Sequence, residues 1–251
     1  MTAGATGPAT PTDPELAKVE RIFDRWAPDY EKNEWYKAQG REVLEHLSLT
    51  GERLIVDVGC GTGWLLRQAL AAHPEARGIG IDLSSKMIER ARENAEAEGL
   101  NRVRFVTGNW EAAGADDGTS HAFGGKADVV FCVSAFHYFR GPRAALAKMF
   151  RSLRPGGELF LLDREMEGSA LTRIWGGIHR FLLRDHVRFY TSSRLLRWME
   201  EAGFCDRRVV TTIRKRFRGG KLYTSLVLLS ARKPGASDGA SGAVGGGERG
   251  A

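Results

Sequence analysis

Seven consecutive residues carry the strongest chemical signal in this chain. Asp57-Val58-Gly59-Cys60-Gly61-Thr62-Gly63 leaves a short apolar run at 53–58 and opens a helical one at 64–72. Glycines at a strand-to-helix turn let the backbone bend sharply and bring its amides close to a ligand. A phosphate-cradling loop would need Gly-Lys-Ser/Thr, and none follows. A dinucleotide fingerprint would need a further glycine at position 64 or 66, where Trp64 and Leu66 stand. Asp82 lies 19 residues after Gly63, at the end of a second strand-like run. A carboxylate there can accept from both hydroxyls of a ribose. Further on, Cys132-Val133-Ser134-Ala135-Phe136-His137-Tyr138 closes a fourth apolar run. Ligands of open parallel sheets sit at such carboxyl ends. His137 is the best candidate for a base, since an ordinary imidazole (pKa ~6.5) has a neutral form at pH 7. The competing reading is a positioning or packing histidine. His179 and His186 are weaker alternatives.

The loop, in the form Asp-x-Gly-x-Gly-x-Gly, and Gly80-Ile-Asp82-Leu83-Ser-Ser-Lys-Met87 together resemble the class I S-adenosylmethionine (SAM)-dependent methyltransferases. The resemblance is to the broad small-molecule group related to quinone-biosynthesis methyltransferases. Phe23-Asp-Arg-Trp-Ala-Pro-Asp-Tyr30 and Leu153-Arg-Pro-Gly-Gly157 extend it over roughly residues 23–204. It implies SAM as cofactor, with Gly59, Cys60, Gly61 and Gly63 forming the loop against it. Asp57 would bind the methionine part or, structurally, cap the loop's amides. Leu83 and Met87 would pack on the adenine. Asn109 stands where the group often has an aspartate that accepts from the adenine amino group; its carbonyl can still accept. Trp110 would cover the adenine or belong to the core. Cys132, Val133 and Ser134 would line the methionine, with the methyl group toward His137 and Tyr138. Tyr30 matches a tyrosine that often covers the site, against ordinary packing; Trp35 and Tyr36 are candidates for the same lid.

These residues need elements to hold them. Asp13-Pro14-Glu15 reads as a helix start, with apolar spacing through Trp26 and an interruption at Pro28. A second helix is predicted over 35–47. Strands are predicted at 53–58, 76–81, 103–106, 128–133 and 158–162, alternating with helices at 64–72, 84–98 and 142–153, the last stopped by Arg154-Pro155-Gly156-Gly157. The alternation implies an α/β fold: a three-layer, Rossmann-like doubly wound sheet of seven strands. Its last pair, 209–217 and 222–230, reads as an antiparallel hairpin adding two edge strands. N-terminal helices precede the sheet, and a helical insert follows strand five. One domain is expected over 14–233, with disordered tails at 1–13 and 234–251. The insert, about 163–190, carries Leu171, Ile174, Ile178, Phe181 and Leu182 at helical spacing, with Arg173, Arg180, Arg184 and Arg188 off that stripe. It reads as a helix packed on the core or as a substrate lid whose arginines attract a carboxylate, phosphate or carrier domain.

Composition narrows the partners. The formal charge of +6 hides an asymmetry: residues 1–139 carry 15 basic and 21 acidic side chains, and residues 140–233 carry 21 and 8. Nucleic acid coating the whole chain is therefore excluded. No Asn/Asp-Pro-Pro-Tyr motif and no Pro-Cys or Thr-Cys nucleophile marks base methylation. No apolar run approaches the ~18–20 residues of a membrane span, and the N-terminus lacks the regions of a secretory signal. Cys60, Cys132 and Cys205 lie far apart, which argues against a zinc site or a disulfide framework and for a cytoplasmic location. The expectation is a methyltransferase acting at O, C or N of a small organic acceptor, anionic or lipophilic, with no metal. RNA methylation and a SAM-binding fold member without methyl transfer are the alternatives. A homodimer is left open.

Overall fold

The computed structural model describes residues 13–111, 125–165, 188–216 and 223–235. The helical stripe of the insert, with His179 and His186, lies outside them, as do residues 1–12 and 236–251. Helix α1 (Pro14–Trp26) starts as expected: the Asp13 carboxylate accepts from the Glu15 amide at 2.9 Å, with proline at the first position. Pro28 does not end the helical path but tightens it into a 3-10 segment, Ala27–Lys32. Helix α2 (Glu34–Leu44) is capped by Asn33 and is shorter than predicted. Beyond Leu44 the chain turns through i+3 bonds from His46 to Val43 and from Leu47 to Leu44.

The sheet then builds through β1 (Leu54–Val58), α3 (Trp64–Ala72), β2 (Arg77–Asp82), α4 (Ser85–Ala97), β3 (Val103–Thr107), β4 (Ala127–Val133), α5 (Pro142–Ser152), β5 (Leu153–Glu165), α6 (Ser192–Glu201), β6 (Cys205–Arg216) and β7 (Tyr223–Arg232). The strand order is β3-β2-β1-β4-β5-β7-β6, parallel from β3 to β5 and antiparallel for the last two pairings. The order reverses between β1 and β4, so their carboxyl ends diverge and open a crevice there.

Two expectations need correction. Arg154–Gly157 does follow the end of α5 at Ser152, but β5 does not wait until 158: it begins at Leu153 and holds the stretch as a bulge. Ala127 pairs with Leu153 and Val129 with Glu158, so three extra residues loop out on β5. Nor does the last pair add two edge strands. Of that pair β6 alone is an edge; β7 lies between β5 and β6, and Leu226–Leu229 is apolar on both faces with all four side chains buried. The sheet separates two cores. One gathers α5 and α6 through Leu146, Met149, Leu195 and Met199; the other gathers α3 and α4 through Leu66, Leu70, Ile88 and Ala91.

Candidate active site

The glycine loop crosses the crevice at the end of β1. The Gly59 and Cys60 amides donate to the Ile81 carbonyl at 2.8 and 3.0 Å, tying the loop to β2. Gly61 has φ +54°, a left-handed conformation that side chains resist, and its amide donates to Asp82 Oδ2 at 2.8 Å. Asp82, not Asp57, therefore caps the loop. Gly63 does not face the crevice. A Cβ there would meet the Phe105 ring at 2.5 Å, so this glycine permits tight packing of α3 on the sheet.

Two lobes open on either side of the loop and share Tyr30, Gly59, Gly61, Val133 and Ser134 as walls. The larger, about 720 Å³, is lined by Asp82, Leu83, Asn109, Trp110 and Tyr138, with Leu16, Val19 and Phe23 of α1 above. The smaller, about 540 Å³, is lined by Asp57, Cys60, Thr62, Tyr36 and Gln39. Asp57, buried, stands in the smaller lobe, and Asp82, half-buried, in the larger. Burial pushes the Asp82 carboxyl above its ordinary value, opposed by the Ser84 and Gly61 amides that donate to it. Asp57 is pushed up to about 8, by burial first and by Asp82 second. Neutral at rest, it is poised to ionise when a cation arrives. Beside it, the buried Thr62 Oγ1 has no hydrogen-bond partner among the described residues. A cation-seeking carboxyl and an unused hydroxyl fit an amino acid's two charged groups, while Asp82 among apolar walls fits a nucleoside. The residues thus fit SAM: Asp57 and Thr62 would hold its methionine part, Asp82 the ribose, and Leu83 the adenine.

The tyrosines close the loop side. The Tyr30 ring lies over Gly61, 3.3 Å from where a Cβ would stand, and stacks on Tyr36 at 4.6 Å. Trp35 instead packs on the core between α2 and α3. Other expected residues stand back from the lobes. Met87 is wholly buried at the start of α4 and lines neither lobe. Cys132 points into the core on the α5 side, because alternation along β4 turns Val133, not its neighbour, toward the crevice. Trp110 joins both readings: it is buried in that core, its indole donates to the Ala145 carbonyl at 3.3 Å, and it lines the larger lobe. The Asn109 carbonyl accepts the Glu111 amide at 2.9 Å, so one of its two acceptor positions serves a local turn.

His137 lines neither lobe and is buried. Its Nδ1 lies 2.6 Å from Asp163 Oδ1, and its backbone amide donates to Asp163 Oδ2 at 2.8 Å. Its ring centroid is 4.2 Å from that of Tyr138, which does line the larger lobe. Asp163 is the main residue that the sequence reading missed. Its signal is positional: an acid ending the apolar run of β5. Gln39 was missed too; its partner Ser134, expected along the methionine, lines both lobes. Ser134 sits at φ +52°, and its hydroxyl donates to the Gln39 amide oxygen across the smaller lobe. A non-glycine residue held in that region at a strand end is a mark of a functional site. Among the described residues, no group of His, Cys, Asp and Glu is arranged to hold a metal ion.

Residues 55–157 match the family described as a methyltransferase domain. Among curated relatives, a tRNA U34 carboxymethyltransferase of Cellvibrio japonicus is 33% identical over 174 residues, 67% of this chain and 50% of that one. A ubiquinone biosynthesis O-methyltransferase of Methylococcus capsulatus is 32% identical over 170 residues, 64% of this chain and 66% of that one. The chain thus spans half to two thirds of their lengths. Among solved structures, phosphoethanolamine N-methyltransferase 2 of Haemonchus contortus, bound to phosphomonomethylethanolamine and S-adenosylhomocysteine, superposes with a TM-score of 0.70. It is 15% identical, with 87% of this chain and 59% of that one covered, a likeness of fold. Motif, topology and family match agree: residues 55–157 form a methyltransferase domain of the class I SAM-dependent kind, and the chain is similar to the methyltransferases of quinone biosynthesis.

Proposed function

We propose that the protein transfers the methyl group of SAM to a small organic acceptor, with a hydroxyl oxygen as the favoured position. The observation that carries this reading is the pair of lobes meeting at Gly59 and Gly61, with the buried Asp57 in one and the half-buried Asp82 in the other. When bound, SAM supplies a methyl already activated by its sulfonium, so the chain's own task is alignment and exclusion of water. Tyr30 covers the loop, and α1 roofs the larger lobe with Leu16, Val19 and Phe23.

Oxygen is favoured because the chain builds a buried imidazole–carboxylate pair beside the cleft. With the Asp163 carboxylate accepting from Nδ1–H, the basic lone pair of His137 is on Nε2. A neutral hydroxyl must lose its proton as it is methylated, whereas an amine does not need a fixed base first. His137 would take that proton, and Asp163 would hold the ring and stabilise the imidazolium. The name of the Methylococcus relative supports oxygen as acceptor. The excess of positive charge over 140–233 supports an anionic acceptor.

The test is titration with S-adenosylhomocysteine, followed by turnover on a panel of phenols, carboxylates and acyl thioesters with mass detection of the product. Tight binding without methyl transfer to any acceptor would move the protein to SAM-binding without methylation. Steeply salt-dependent binding to transfer RNA, with methylation of it, would replace the small-molecule reading.

A further inference from the structure

Arg67 is a charged side chain where the fold has little room for one. It lies on α3, four residues after Gly63, and is 1% exposed. A buried guanidinium persists only where partners meet its charge. Two carboxylates from different elements do so. Glu31 Oε1 accepts from Nη2 at 2.6 Å, and Glu98, at the C-terminal cap of α4, accepts from Nη1. Glu31 Oε1 also accepts from Asn94 Nδ2 of α4 at 2.8 Å. Glu31 directly follows Tyr30 in the 3-10 segment and itself lines the smaller lobe.

We infer that Arg67 and Glu31 are positioning residues for the donor site, setting the Tyr30 ring over the glycine loop. Among the described residues the aromatic neighbours of the Tyr30 ring are Tyr36 at 4.6 Å and Phe23 at 6.4 Å, which orient a ring but let it slide. The carboxylate one residue along is held by two donors from two helices, which fixes the segment in register. The helix that begins at the glycine loop therefore also carries the anchor of its cover. Floor and cover of the site are linked through one side chain. This rests on the reading of the cleft as the SAM site.

The test compares the full-length protein with Glu31→Ala, Glu31→Gln, Glu98→Ala and Asp57→Asn. S-adenosylhomocysteine affinity is measured by calorimetry, its release by stopped-flow displacement, and stability by thermal midpoint. Glu31→Ala is expected to weaken binding ~10-fold, carried by faster release, as is usual for altered sites. Glu31→Gln, whose amide oxygen still accepts from both donors, recovers most of that loss. Glu98→Ala removes the other partner of Arg67 and lowers the midpoint, yet leaves release within ~2-fold, since Glu31 keeps its bonds to Arg67 and Asn94. Unchanged release in Glu31→Ala, with binding weakened in Asp57→Asn, would overturn the proposal and keep the donor site. Equal acceleration in Glu98→Ala would reduce the network to general stability and overturn it as well. No binding by the wild-type protein would remove the donor site, and the proposal with it.

Discussion

Asp57 is buried beside a second carboxyl group, and its pKa is raised from the ordinary 3.8 to about 8. A group whose folded pKa is raised favours folding fully at pH below its unfolded value, and that contribution is lost as pH climbs through the folded one. Between about pH 4 and 8 Asp57 therefore increasingly opposes folding. Asp57→Asn should stabilise the ligand-free protein near pH 7 by roughly 2–4 kcal/mol, with the gain vanishing below about pH 4. The same substitution should weaken SAM binding ~10- to 100-fold, the worth of a charged hydrogen bond. Wild-type affinity should rise with pH toward about 8, and the variant should lack this rise; denaturant titrations and calorimetry across pH read both. Asp163→Asn should leave SAM affinity within ~2-fold and lower kcat by ~10²–10⁴ on a hydroxyl acceptor, the usual share of a general base. An intact kcat would remove His137 from the chemistry. Gly61→Arg should abolish SAM binding, because φ +54° and the Tyr30 ring leave its side chain no place outside the cleft. Residues at this scale were legible where they neighbour one another in sequence. The glycine loop and Asp82 declare themselves, since loop and strand end follow a fixed order. Asp163 does not, because it meets His137 across 26 residues only through the parallel register of β4 and β5, which aligns Val133 with Leu162.

Element starts were readable because caps are local. Ser84 was expected to open α4, and its hydroxyl accepts from the Met87 amide at 3.1 Å. The structure adds what a cap alone does not disclose: the same hydroxyl donates to Asp24 Oδ1 of α1 at 2.6 Å, and Asp24 also accepts from the Lys86 amide at 3.3 Å. An acid at a helix N-terminus is stabilised by the exposed amides there. The cap thus also fastens α1, the roof of the larger lobe, to the sheet layer below it. Ser84→Ala should cost about 1–2 kcal/mol of stability by denaturant titration, a cap's worth. It should also weaken SAM binding more than a cap lost far from the cleft, such as Thr191→Ala at the start of α6. Where the sequence reading failed at this scale, competing tertiary terms decided. The Pro-Gly-Gly triplet follows the end of α5 as expected, but β5 begins before it, at Leu153, because β7 and its continuation pair along it. Gly156 donates to Lys233 and Lys233 to Gly157, so the triplet is absorbed as a bulge. Likewise Leu226–Leu229 carries no local sign of which neighbours it will have; only closure by β6 makes it central.

At the scale of the molecule, the charge division raises the question of whether the arginines act singly or as a field. Several of those over 140–233 already have carboxylate partners: Arg143 with Glu201 at 3.3 Å, Arg207 with Glu200 at 2.9 Å, and Arg232 with Asp206 at 2.7 Å. Exposed pairs of this kind are worth about 0–1 kcal/mol each, so none of these arginines is an obvious acceptor clamp. The imbalance nevertheless survives the pairing, since 21 basic side chains face only 8 acidic ones across that stretch. What remains is a long-range attraction for anions from the part of the chain that follows β4, and such attraction acts on encounter more than on the bound state. Two consequences separate it from a local clamp. Raising salt from about 0.05 to about 0.5 M shrinks the Debye length to a few ångströms. That should lower kcat/KM for an anionic acceptor several-fold while leaving kcat and the turnover of a neutral acceptor little changed. Single arginine-to-alanine substitutions on the exposed face should each change kcat/KM by less than ~2-fold, whereas three or four combined should reproduce the salt effect. Equal turnover of cationic and anionic analogues at low salt would show that the basic half serves some other end than acceptor capture.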